Sequence, residues 1–215
     1  LSGTIASSNS GGKWGAELKF AGYDVIIIED KSEKPIYIEI VDDKIEFKDA
    51  SDLWGKVVSE TTEILESKSV KGAKVMTIGP AGENLSKMAA IMNDSDRAAG
   101  RSGVGAVMGS KNLKAITVKG SSKPEVYNSE KLKELSKELL TKIKENGVTG
   151  QGLPTYGTAV LVNILNEVGC HPTNNFQKSY FENADEISGE TMAEKFLIKK
   201  TACFRCPIGC GRHVK

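Results

Sequence analysis

Residues 91–119 read IMNDSDRAAGRSGVGAVMGSKNLKAITVK, and the order of residue types in them sets the expectation for the whole chain. The stretch closes on Leu113 to Lys119, rich in apolar and β-branched residues, the mark of a strand. Ahead of it, Arg97 and Arg101 stand among Gly100, Gly103, Gly105 and Gly109, opening what reads as a short helix. Exposed backbone N–H groups and guanidinium forks are two devices that hold oxyanions. The glycines miss the G-x-G-x-x-G order of a dinucleotide fold, because Met108 takes the third glycine's place and Gly109 follows one residue late. They also miss the P-loop order. Two readings stay open on these residues alone: phosphate or cofactor contact, and a tight structural turn.

Working back from this stretch, Lys74 to Ile78 reads as a second strand that feeds the turn Gly79-Pro-Ala-Gly-Glu-Asn84. Residues 52–66 carry Trp54, Val57, Val58, Thr61, Ile64 and Leu65 at helical spacing. Pro35 to Ile40 alternates, as do Ile45 and Phe47 against Lys44, Glu46 and Lys48, so these residues read as a hairpin with one buried face. Tyr23 to Glu29 is a continuous apolar run, and a buried strand is expected there. Before it, the polar turn Ser7-Ser-Asn-Ser-Gly-Gly12 leads into a short helix from Trp14.

Downstream, Ser121-Ser-Lys-Pro124 is a linker and a change of composition. Ser129 to Asn146 reads as an amphipathic helix with Leu132, Leu135, Leu139, Leu140 and Ile143 on one stripe and a solvated Lys/Glu face. Residues 151–157 read as a loop, Thr158 to Val168 as a helix ended by Gly169, and Ser188 to Lys199 as a helix with Met192, Phe196 and Leu197 inward. The fold class expected is α+β: a β-rich domain over 1–120, then the start of a helical domain over 121–215.

Hydrophobic residues make up 39% of the chain and the formal net charge is +1, so there is material for a core and no basic field for nucleic acid. No apolar run approaches the ~20 residues that span a bilayer. The chain begins at Leu1 and stops five residues after Cys210, and both ends are expected to be cuts through a longer protein.

The chemistry of the chain's end is carried by Cys203-Phe-Arg-Cys206-Pro-Ile-Gly-Cys210. Three thiols spaced C-x2-C-x3-C can converge on one point, and soft thiolate ligands select iron–sulfur clusters or zinc. A zinc site usually shows a second paired ligand group, which is missing here. An iron–sulfur cluster is the leading reading, with zinc and ordinary thiols as alternatives. The fourth ligand is either Cys170 or a residue beyond Lys215. Cys170 and His171 are adjacent, so their side chains rarely face each other, and no activating partner is visible. Clustered thiols without a disulfide pattern favour a reducing, cytoplasmic setting.

Taken together, Ala16-Glu-Leu-Lys-Phe-Ala-Gly-Tyr-Asp24, Gly79-Pro-Ala-Gly-Glu-Asn84, Arg97-Ala-Ala-Gly-Arg101, Gly103 to Lys114 and Cys206-Pro-Ile-Gly-Cys-Gly-Arg212 resemble the aldehyde ferredoxin oxidoreductases, in the same order. The resemblance implies a tungsten or molybdenum bis-pterin cofactor and a 4Fe-4S cluster. It implies pterin contacts at Asn9 and Gly11 and pterin-phosphate binding by Arg97, Ala98, Gly100 and Arg101. It further implies a magnesium ion bridging the two pterin phosphates through backbone oxygens at Asn9 and Ala98. Cys203, Cys206 and Cys210 match three cluster ligands; the family's fourth lies far downstream, which leaves Cys170 a bystander. Ser102 stands where relatives often have glycine. The activity implied is oxidation of a small aldehyde to a carboxylic acid, with ferredoxin accepting electrons, in a homo-oligomer at full length without nucleic-acid or membrane partners. The catalytic residues are expected outside these 215 positions. Alternatives are a family member acting on a sugar-phosphate aldehyde or an aromatic ring, a non-catalytic iron–sulfur electron carrier, and a zinc-stapled module.

Overall fold

The computed structural model describes residue 5 and residues 7–215. The chain divides into two compact units, one ending at Glu125 and the other beginning at Val126. The strands of the first are β1 (Ile36–Val41), β2 (Lys44–Asp49), β3 (Lys74–Thr77), β4 (Ile91–Asn93), β5 (Arg97–Ala99) and β6 (Leu113–Lys119). They form one sheet of order β2-β1-β6-β3-β4-β5. β6 runs parallel to β1, and every other neighbouring pair is antiparallel. The helices of this unit are α1 (Trp14–Phe20), α2 (Val58–Lys68), the single turn α3 (Pro80–Glu83) and α4 (Val104–Ser110).

β6 is central and buried from Leu113 to Val118, as expected of a strand covered on both faces. On one face Trp14 and Leu18 of α1 and Met108 of α4 pack with Ile38, Ile40, Ile78, Ile116 and Val118. The Trp14 indole N–H also donates to the Ile116 carbonyl at 3.1 Å, fastening α1 to the central strand. On the other face Leu65 of α2 and Leu53 meet Tyr37, Val75 and Ala115. Each such large side chain, fully buried, contributes about 1.5–3 kcal/mol.

The α+β class holds, and several local expectations do not. Tyr23–Glu29 is no strand: Ile26 and Ile28 pack on the core, while Val25 and Ile27 are 70% and 80% exposed. β1 is already flanked by β2 and β6, so the run has no place in the sheet beside it. The hairpin of β1 and β2 forms in full register from Ile36↔Asp49 to Val41↔Lys44, yet Phe47 on β2 is 71% exposed. The helix expected over 52–66 begins only at Val58, because a 3-10 turn at Ser51–Leu53 and Gly55 at φ 87° precede it. β4 and β5, of three residues each, are too short to show a period.

The second unit contains α5 (Ser129–Glu145), a π-helical turn (Gly147–Gly152), α6 (Leu153–Tyr156), α7 (Leu161–Glu167), α8 (Gly189–Lys195), and the paired strands β7 (Leu197–Thr201) and β8 (Gly211–Val214). Asn128 caps α5, its side chain accepting the Lys131 N–H at 2.9 Å. The helix has the expected length, but its stripe is uncovered: Leu132, Leu135, Leu139 and Leu140 are all exposed, and no residue of α5 is buried. The expected loop over 151–157 contains α6, and the helix expected from Thr158 is a 3-10 turn followed by α7, beyond whose end Gly169 takes φ 69°. The helix expected to reach Lys199 stops at Lys195, and the chain switches to β7. No helix among the described residues is long and apolar enough to cross a membrane.

Candidate functional site

Two polar segments far apart in sequence are tied together at one end of the sheet. The Arg101 backbone N–H donates to Ser8 Oγ at 3.0 Å. The buried Asn93 side chain donates to the Gly11 carbonyl at 2.8 Å and accepts the Ser10 hydroxyl. The Lys13 N–H donates to the Asp94 carboxylate. Gly12, at φ 99°, sits inside this junction, where an added Cβ would lie 2.6 Å from the Asn93 amide nitrogen and 2.4 Å from an Asp94 oxygen. The segment from Ser8 to Lys13 is therefore locked onto the β4–β5 hairpin and the turn that follows it.

The expected cofactor residues all lie on these two joined segments. Asn9, Gly11, Ala98, Gly100 and Arg101 are exposed, and Arg97 is half-buried. Arg97 pairs with the Asp96 carboxylate at 3.3 Å, which a bound anion would have to contest. Gly100 meets nothing nearer than the Ala98 Cβ at 3.9 Å, and its φ is not positive. Neither packing nor backbone strain asks for glycine there, and its backbone is left open. Asn93, Ser8 and Ser10, which build the junction, belong to no motif in the sequence; the dense Asn-Asp-Ser-Asp turn signal at 93–96 is the clue it offers.

The remaining glycines of the cluster serve the fold. Gly103 has φ 67°, and a Cβ there would fall 2.2 Å from the Lys87 carbonyl oxygen. Gly105 would strike the Ala90 carbonyl at 2.5 Å, and Gly109 the Gly82 carbonyl at 2.0 Å. Here the structural reading of the glycine-rich stretch prevails: α4 is pressed backbone to backbone against α3 and the segment before β4. Ser102 occupies left-handed backbone, φ 66°, a conformation in which glycine is less strained.

Cys203, Cys206 and Cys210 all fall in the loop 202–210, whose neck is closed by the Thr201↔Gly211 pair of β7 and β8. The Cys206 N–H donates to the Cys203 carbonyl at 3.1 Å; Arg205 at φ 49° and Gly209 at φ 63° turn the loop. The thiols are free and at least partly accessible. They are not gathered on one point, however: among the described residues no three His, Cys, Asp or Glu side chains could hold one metal ion. Three thiols in one short accessible loop fit a cluster in which each iron takes its own thiolate. Cys170 is exposed beyond α7, and His171 stacks on Phe181 with ring centroids 6.4 Å apart.

The profile of the aldehyde ferredoxin oxidoreductase N-terminal domain matches residues 1–120, and that of domains 2 and 3 of the same proteins matches residues 134–215. The chain belongs to the aldehyde ferredoxin oxidoreductase family. Relatives in this family include the tungsten-containing aldehyde ferredoxin oxidoreductase of Pyrococcus abyssi, 57% identical over 213 residues, 99% of this chain and 35% of the relative. The aliphatic sulfonate oxidoreductase, WOR-like subunit, of Pyrococcus furiosus is 38% identical over 97% of this chain and 34% of its own length. Among solved structures, the active-site complex BamBC of benzoyl coenzyme A reductase, in complex with 1,5-dienoyl-CoA, superposes with TM-score 0.79 at 32% identity. It covers 97% of this chain and 34% of that one. The chain thus spans about a third of the length of the curated relatives it matches.

Proposed function

We propose that this chain is the pterin- and cluster-holding part of an oxidoreductase that converts an aldehyde to a carboxylic acid, passing electrons through a 4Fe-4S cluster to ferredoxin. The observation that supports this reading is the hydrogen-bonded junction of the Ser8–Lys13 segment with Asn93–Arg101, the two segments on which the expected cofactor residues lie. A tungsten or molybdenum bis-pterin supplies, when bound, the two-electron chemistry in which aldehyde and water give acid, two protons and two electrons. Arg97 and Arg101 would neutralise pterin phosphates with charge-assisted hydrogen bonds. Gly100 would let the backbone come close, and backbone oxygens of Asn9 and Ala98 would be the donors to a magnesium ion. Cys203, Cys206 and Cys210 would supply three thiolate ligands to the cluster.

The names of the relatives favour aldehyde and tungsten, since 57% identity runs through the whole chain. A second reading rests on the sulfonate and benzoyl coenzyme A relatives: the same segment serves other substrates, because it grips the cofactor and leaves substrate choice to other residues. Elemental analysis of the full-length protein, purified anaerobically, tests the proposal. Iron together with tungsten or molybdenum, and pterin phosphorus, is expected. Arg97→Ala and Arg101→Ala are expected to lower the phosphorus and heavy-metal content severalfold and to spare the iron. Unchanged pterin retention in both variants would overturn the role given to this junction.

A further inference from the structure

Arg212 carries a charge that the fold of the second unit leaves uncompensated. Its Nη1 donates to the carbonyls of Gly209 and Gly211 at 3.0 and 2.7 Å, and its Nη2 to the carbonyl of Leu153 at the head of α6. Two of these three acceptors flank Cys210, so the guanidinium fork grips the loop at a cysteine. Its Nε is buried and has no hydrogen-bond partner. Among the described residues no carboxylate lies within ion-pairing distance of it. Gly157, at φ 65°, closes the same place: a Cβ there would stand 2.8 Å from the Cys210 carbonyl oxygen and 3.4 Å from Arg212 Nε.

Carbonyl dipoles stabilise a cation only in part, and a half-buried cation with a spare N–H donor is costly unless an anion compensates it. Thiolates ligating iron, with the cluster's sulfides, make such an anion. We propose that Arg212 is a positioning residue of the cysteine loop that also sets the cluster's reduction potential. It fixes the backbone on both sides of Cys210, and its charge balances an anionic iron–sulfur–thiolate group. The inference rests on the cluster reading above. A nearby fixed cation favours the reduced, more negative form, so it raises the potential.

The test uses the full-length protein, prepared anaerobically as wild type, Arg212→Gln and Arg212→Lys. Iron and sulfide per chain are measured together with the potential, by redox titration followed by electron paramagnetic resonance. Arg212→Gln is expected to keep its iron while its potential falls by about 59 mV or more, tenfold in the one-electron equilibrium. Arg212→Lys, which keeps the charge, is expected to recover most of that fall. Full iron with a wild-type potential in Arg212→Gln overturns the inference, and so does an equal fall in both variants. Should Arg212→Gln lose its iron, Arg212→Lys decides: a retained cluster at near wild-type potential supports the role of the charge, and loss from both overturns it. A wild-type protein without iron and sulfide overturns the cluster reading itself, and this inference with it.

Discussion

Gly100 and Gly103 stand close in one turn and answer to different constraints. At Gly103 a methyl group would have to occupy left-handed backbone and the space of the Lys87 carbonyl. Gly103→Ala is therefore expected to lower unfolding stability by at least about 2 kcal/mol, from strain and overpacking together. At Gly100 the methyl group meets open space, so Gly100→Ala is expected to change stability by no more than about 0.5 kcal/mol. If the bare backbone at 100 receives the pterin phosphates, the same change should still lower pterin retention in the full-length protein. Urea denaturation and phosphorus analysis of the two variants separate the roles. A Gly100→Ala protein with normal pterin content would return this glycine to the turn alone. In sequence the two glycines look alike; the left-handed backbone of Gly103 and the Lys87 carbonyl beside it, both set by the fold, tell them apart.

At the scale of elements, one buried ion pair joins β6 to α3. The Lys114 ammonium, fully buried, donates to Glu83 and to the Lys56 carbonyl at 2.8 Å, and the other Glu83 oxygen accepts the Gly55 N–H at 2.8 Å. Removing one charge leaves the other uncompensated, so Glu83→Gln is expected to cost about 3–5 kcal/mol, and the double replacement Glu83→Leu with Lys114→Met far less. Burial drives the Lys114 pKa below its ordinary value, with Glu83 opposing the shift. The unfolded chain then binds more protons between the folded pKa and the ordinary one, and stability rises with pH through that window. Lys48 acts in the opposite sense: its bond to Glu39 raises its pKa, giving stability that is present below the ordinary lysine value and lost above it. Denaturation midpoints from about pH 8 to about pH 11 should show the rising component in wild type and not in Lys114→Met. The pair was not legible in sequence, where Lys114 is one lysine in an alternating strand. The strands Lys74–Thr77 and Leu113–Lys119, the helices from Trp14 and Ser129, and the hairpin were legible, because their periods or apolar runs are long enough to read. β5, β7 and β8 were not: they are short, polar and held by their partners, so their own residues carry little signal. The expected cofactor residues follow from the family resemblance alone, and the hydrogen bonds that join their two segments depend on Asn93, Ser8 and Ser10, whose only mark in the sequence is that of polar turns.

At the scale of the whole molecule, both units carry uncovered apolar faces. Val25, Ile27, Ile45 and Phe47 line a cavity of about 320 Å³ beside β2, and in the other unit α5 shows Leu132, Leu135, Leu139 and Leu140 to solvent. Exposed apolar patches of this kind mark surfaces that are covered in use. The formal net charge of +1 offers little repulsion to keep copies apart. Expressed at this length of 215 residues, the chain is expected to self-associate at micromolar concentration, seen by sedimentation velocity. Phe47→Ser combined with Leu135→Glu should shift it toward monomer without lowering its melting temperature. In a protein of the relatives' length, where the same faces would be interior, the same two substitutions should instead destabilise, because each puts a polar group where an apolar one is buried. A chain that stays monomeric at every concentration, with substitutions equally harmless at both lengths, would mean that these faces are true solvent surface. A length-dependent sign would show that residues outside these 215 positions cover both faces.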